Sequence, residues 1–96
     1  MRIHIKSNFV VPGLEDREDI DLDRTEISLR QLLEELQRLA APSPIEYVRP
    51  GAHHLDPDDW EVDINDLPYE KCGRELETLL KDGDTVTIRI LALGGG

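Results

Sequence analysis

Along this chain the spacing of apolar residues switches between two periods, and the switches mark its elements. Ile3 and Ile5 fall on one side of an extended segment and Arg2, His4 and Lys6 on the other, the mark of a half-buried strand. Val11-Pro12-Gly13 is turn chemistry, and the run Glu15-Asp16-Arg17-Glu18-Asp19 reads as a solvated loop. Ile20 and Leu22 then alternate with Asp19, Asp21 and Asp23, which predicts a second strand in a hairpin with the first.

At Ser28 the period becomes helical. Ser28 is followed three residues later by Gln31, the spacing of a capping box, and behind it Leu29, Leu32, Leu33, Leu36 and Ala40 form one apolar stripe. The opposite face carries Arg30, Glu34, Glu35 and Arg38, with Glu34 and Arg38 at the favourable i, i+4 order. Pro42 and Pro44 are expected to end the helix.

Beyond it the pattern predicts a short strand over 45–49, a polar loop from Pro50 to Asp59, and a strand in which Trp60, Val62 and Ile64 alternate with an outward acidic face. Leu76, Leu79 and Leu80 at helical spacing predict at most two helical turns before Gly83, which is expected in a left-handed conformation. The last strand, Thr85-Val86-Thr87-Ile88-Arg89-Ile90, is β-branched and the most continuously apolar, so it belongs near the middle of its sheet. The expected architecture is α+β, with four to five strands of a mixed sheet packed on one main helix. A single domain over 1–96 is expected, with 92–96 as an extended, flexible tail because glycines have no side chains to pack.

Composition narrows the chemistry. A domain of 96 residues with four aromatic residues must build an aliphatic core and has little to spare for a deep cleft. Its net charge of −10 argues against binding to nucleic acid or an anionic membrane surface, both of which need a basic patch, and favours basic partners. One cysteine, no apolar run long enough for a membrane span and no signal-peptide core point to the cytoplasm.

Catalytic signatures are missing. Ser7, Ser28 and Ser43 lack a nucleophile-elbow setting, and Gly13, Gly51, Gly73 and Gly83 stand too far apart to cradle phosphates. His53-His54 beside Asp56, Asp58 and Asp59 offers metal-ligand types, but neighbouring histidines in an extended loop point apart and the acids lack calcium-loop spacing; a solvated acidic loop and no metal site are expected. Cys72 reads as a small packing residue, and His4 as a surface one. What stands out is the end of the chain. From Leu91 to Gly96 an extended backbone reaches about 20 Å, and glycine lets it pass a narrow channel without a Cβ. The carboxylate at its tip is inert until it is activated, for example as a mixed anhydride with AMP.

With Leu79-Leu80-Lys81-Asp82-Gly83-Asp84-Thr85-Val86-Thr87-Ile88 ahead of a terminal Gly-Gly, the chain resembles the ubiquitin-like sulfur carriers of β-grasp fold, which include the small subunit of molybdopterin synthase and the thiamine-thiazole sulfur carrier. Ser28 to Leu36 on the first helix and Val62-Asp63-Ile64-Asn65 on a strand support the resemblance. It implies a carrier and not an enzyme. An E1-like enzyme would adenylate Gly96 with ATP, and a sulfur donor would convert the adenylate to a thiocarboxylate. An acceptor enzyme, such as a molybdopterin synthase large subunit, would then take the sulfur for cofactor biosynthesis. Gly94 and Gly95 would thread into the partner, and Arg89, Leu91 and Leu93 would offer a docking surface beside the tail. No cofactor is expected on the chain itself, ATP being used by the activating partner. A modifier conjugated to lysines and an interaction domain with an inert tail are the alternative readings. Gly94 adds a third glycine to the family's pair, and the loop from Pro50 to Asp59 is long for the family.

Overall fold

In a computed structural model, which describes residues 1–15, 17–41 and 45–91, the chain forms a mixed five-stranded sheet, a two-stranded ribbon and one α-helix. The strands are β1 (Arg2–Ser7), β2 (Asp19–Asp21), β3 (Ile27–Ser28), β4 (Trp60–Ile64), β5 (Leu67–Pro68), β6 (Leu79–Leu80) and β7 (Thr85–Ile90), and the helix is α1 (Leu29–Leu39). The large sheet runs β2-β1-β7-β4-β5, which puts β7 at its centre as the apolar pattern predicts. There β7 pairs in parallel with β1, Ile5 opposite Val86, and antiparallel with β4, Val62 opposite Ile88.

Alternation along the strands fills one face. Ile3, Val62, Val86 and Ile88 are at most 1% exposed, and they share a single core cluster with Leu29, Leu32, Leu33 and Leu36 from α1. The capping box forms as the sequence predicts: the Ser28 hydroxyl accepts from the Gln31 amide at 3.1 Å, and the Gln31 side chain accepts from the Ser28 amide at 3.0 Å. Ala40 caps the C-terminal end of α1; the expected stop at Pro42 and Pro44, like Ser43, lies outside the described residues.

Four expectations need correction. Residues 45–49 are not a strand, because the side-chain oxygen of Gln37 accepts from the amides of Tyr47 and Val48 at 2.8 and 2.6 Å and draws the segment onto the helix. The leucines after Arg74 do not make an α-helix. A 3₁₀ turn over Glu75–Glu77 gives way to β6, which pairs Leu80 with Ile27, while the Leu29 amide donates to the Thr78 carbonyl. So short a segment gains too few helical hydrogen bonds to offset nucleation, and the ribbon satisfies its backbone instead. On α1, Arg38 pairs with Glu35, with Nε at 3.1 Å from Oε2, and not with Glu34. The acidic face of β4 is only half outward, since Glu61 is exposed while Asp63 is 8% exposed.

The hairpin from β4 to β5 went unread in the sequence. Asn65 and Asp66 have φ of 49° and 69°, two consecutive left-handed residues that match a type I′ turn, and asparagine and aspartate tolerate that region best after glycine. Gly83, at φ 90°, takes the expected left-handed conformation, although it turns the chain from β6 into β7 and does not end a helix.

Candidate functional site

The C-terminal end of β7 is where the candidate residues gather, and it is held more firmly than strand pairing alone requires. β1 ends at Ser7, yet the next side chain continues its ladder: Asn8 Oδ1 accepts from the Ile90 amide at 2.9 Å and Asn8 Nδ2 donates to the Ile90 carbonyl at 3.1 Å. On the other side the Leu91 amide donates to the carbonyl of Asp59 at 2.8 Å. The last described residues before the glycines are thus fixed from both flanks. Leu93, Gly94, Gly95 and Gly96 lie outside the described residues.

Arg89 and Leu91 turn away from the core, as alternation predicts. The Arg89 guanidinium bridges two carboxylates of β4, with Nη1 at 2.7 Å from Glu61 Oε1 and Nη2 at 3.1 Å from Asp63 Oδ2. Those acids, Asp63 foremost, raise the arginine pKa further above its ordinary value. Arg89 is therefore a structural clasp across the β4–β7 pair as well as a surface group. Leu91 is 42% exposed and stands next to it in the chain, the large apolar side chain nearest to the glycines that the described residues offer.

Beneath this end of the strand, three of the chain's four aromatic rings meet. Trp60 packs 4.8 Å from Tyr47 and 5.8 Å from Phe9, measured between ring centroids. The indole Nε1 donates to the Glu46 carbonyl at 3.1 Å, which fixes the ring where β4 begins. Burial pushes the Tyr47 phenol up to about 12.

The segment that makes this cluster possible runs through residues 45–49, expected as a strand, into the loop from Pro50 to Asp59, which is a loop as expected but buries Leu55. Tyr47, Val48 and Leu55 are buried, and the Leu55 amide donates to the Tyr69 hydroxyl at 2.9 Å inside the protein. The Arg30 guanidinium donates to the carbonyl of Ala52 and pairs with Glu77 at 2.8 Å, tying α1, the loop and the 3₁₀ turn together. The outcome is a cleft of about 610 Å³ walled by Ile45, Tyr47, Leu55, Trp60 and Ile90, with Glu46, Arg49, Asp56 and Asp59 among its polar lining residues. One wall, Ile90, is the last residue of the strand that leads to the glycines.

Of the other candidates, His54, Asp56 and Asp59 reach this end as lining of the cleft, while Cys72 is not among its lining residues. His54 Nδ1 is 2.8 Å from Glu75 Oε2, and among the described residues no group of three or more histidine, cysteine or acidic side chains is placed to hold a metal ion. Cys72 is half-buried with its thiol 3.7 Å from the Pro68 carbonyl, and burial raises its pKa, which keeps it protonated and a weak nucleophile. No helix among the described residues is long and apolar enough to cross a membrane.

Sequence reasoning located Arg89 and Leu91 but missed Asn8, the backbone role of Asp59 and the cleft. A polar amide directly after a strand is the signal that could have found Asn8, since such a side chain can stand in for a missing backbone partner. In comparisons with known proteins, no family model, no curated protein and no solved structure matches the chain.

Proposed function

We propose that the protein is a ubiquitin-like sulfur carrier of β-grasp type, whose Gly96 carboxyl is activated by a partner and then bears sulfur as a thiocarboxylate. The observation that carries this reading is the anchoring of the segment ahead of the glycines. β7 is the central strand, bonded on both sides, and its last residues are clamped by Asn8 and Asp59 at the point where Ala92 to Gly96 begin. A hairpin followed by one helix, with a parallel pair at the middle of a mixed sheet, is also the arrangement expected of a β-grasp domain.

Chemically, the carboxylate attacks the α-phosphorus of ATP and pyrophosphate leaves. Sulfide supplied by the donor then attacks the acyl carbon and AMP leaves, which gives the thiocarboxylate. The chain itself needs no general acid or base, because both steps belong to the partner's active site. Its own part is to present a slender segment without side chains from a rigid root.

Intact-mass measurement after incubation with ATP, a sulfur donor and a cognate E1-like enzyme tests the proposal. The expected product is heavier by the difference between one sulfur and one oxygen, and deletion of Gly96 abolishes it without changing the circular dichroism spectrum. High-mass adducts that resist thiol reductants would instead identify a modifier joined to lysines, and an unchanged mass would overturn activation at Gly96.

A further inference from the structure

The cleft under the end of β7 is not needed to hold up a tail. Its size falls within the range of small-molecule pockets, and part of its polar rim is paired within the chain. Asp56 Oδ1 accepts from the Asp58 amide at 2.9 Å, Glu46 stands 3.8 Å from Arg49, and His54 is bonded to Glu75. What remains is an apolar floor of aromatic and aliphatic side chains with an acidic lining, in which the carboxylates of Glu46, Asp56 and Asp59 outnumber the guanidinium of Arg49.

We infer that this cleft is a docking site for a segment of a partner protein that inserts one aliphatic side chain flanked by arginine or lysine. Charge selects this occupant over the others. A second copy of this chain carries the same net charge of −10 and is repelled by the acidic lining, and the chain's own Ala92-Leu93-Gly94-Gly95-Gly96 holds no cation to meet it. A basic segment instead gains electrostatic steering toward the cleft, while its aliphatic residue displaces water from the half-buried Ile90 and Ala52 and the exposed Pro57, above the buried rings of Tyr47 and Trp60.

Position gives the site its meaning. Ile90 forms one wall, and Asp59, which contributes to the lining, also accepts the hydrogen bond from Leu91. A partner seated here would therefore register against the root of the C-terminal segment. The loop from Pro50 to Asp59, which helps build the cleft, is one of the stretches that depart from the family resemblance, along with Asn8 to Asp19 and Gly94, so it would distinguish this protein's partner from those of other carriers.

Trp60 is the only tryptophan, which makes its fluorescence a reporter of the cleft. The full chain is titrated with the blocked peptide Gly-Arg-Leu-Arg-Gly, with its charge-reversed counterpart Gly-Glu-Leu-Glu-Gly, and with the basic peptide carrying serine in place of leucine. The expected result is a saturable change in Trp60 emission with the first peptide alone, accompanied by amide shifts at Ala52, Leu55, Asp59 and Ile90 in a nitrogen–proton correlation spectrum. The double variant Glu46→Lys, Asp59→Lys should weaken binding about tenfold while leaving the amides of α1 in place. Equal binding of the acidic peptide, no saturable change with the basic one, or shifts that map to the outer sheet face around Lys6 and Arg89 would overturn the inference. The assay uses no ATP and needs no chemistry at Gly96, so its failure leaves the carrier reading standing, and failure of thiocarboxylate formation leaves this site standing.

Discussion

The side chain of Asn8 bonds to both backbone groups of Ile90, at 2.9 Å to the amide and 3.1 Å to the carbonyl, and so does the work of one more residue of strand β1. A carboxamide has the donor and acceptor of a peptide group, and at the end of a parallel ladder it can satisfy a neighbouring strand after its own backbone has turned away. The contact spans nearly the whole chain, from residue 8 to residue 90.

Asn8→Ala should therefore loosen the end of β7 more than it destabilises the protein. The two hydrogen bonds are exposed, and water replaces them in part, so the global loss should be about 1 kcal/mol. Amide hydrogen exchange at Ile90 and Leu91 should accelerate markedly while Val86 and Ile88 keep their protection. Equal acceleration along all of β7 would show that Asn8 supports the sheet rather than its end.

The other end of the same strand has a matching device. Asn65 Oδ1 accepts from the Thr85 amide at 2.9 Å, its Nδ2 donates to Asp84 Oδ1 at 3.0 Å, and its own backbone stands at φ 49°. Asn65→Ala loses both contacts and the polar side chain that lets asparagine tolerate a left-handed conformation, for a cost of about 2 kcal/mol. Asn65→Gly keeps the conformation and loses only the contacts, so it should fall between wild type and alanine in urea denaturation. Glycine as damaging as alanine would remove the turn from the explanation.

Neighbouring residues on β7 should differ sharply in cost, since one faces the core and the next faces out. Ile88 is fully buried against the helix layer, and Ile88→Ala should cost about 3 kcal/mol through lost burial and the cavity left behind. Arg89 is more than a third exposed, and Arg89→Ala should cost about 1 kcal/mol or less despite two ion pairs. Similar costs at the two positions, measured by thermal unfolding, would contradict the assignment of faces.

The α-helix, its cap and the alternation of β1 and β7 could be read from the sequence because each rests on local periodicity. Ser28 and Gln31 find each other within one turn, and Val86 and Ile88 point one way whatever lies opposite. The ribbon of β3 and β6 could not be read in that manner. It pairs Ile27 with Leu80, and nothing local tells Leu79 and Leu80 to extend when Leu76 precedes them at helical spacing. The cleft was hidden for the same reason: Gln37 turns aside to take two amides from a segment ten residues on, and Tyr69 reaches back to Leu55. Of the candidate site, Arg89 and Leu91 followed from strand alternation, whereas Asn8 and the backbone role of Asp59 came to light only through partners distant in sequence.

Tyr47 gives the fold a pH limit. Its phenol is 2% exposed, and burial lifts its pKa from 10.0 to about 12 because the phenolate would lose its hydration inside the aromatic cluster. Below pH 10 the phenol is neutral both folded and unfolded, and its protonation leaves stability unchanged. Between pH 10 and about 12 the unfolded chain sheds the proton while the folded one retains it, so stability falls as pH rises through that window. Burial also raises the pKa of Tyr69, which adds to the fall in the same direction. In Tyr47→Phe the ring still packs against Trp60 but has no proton to lose, and its alkaline unfolding curve should be shallower than wild type, with little difference at pH 7. Parallel curves for the two proteins, followed by near-ultraviolet circular dichroism, would mean that Tyr47 ionises in the folded state as freely as in the unfolded one.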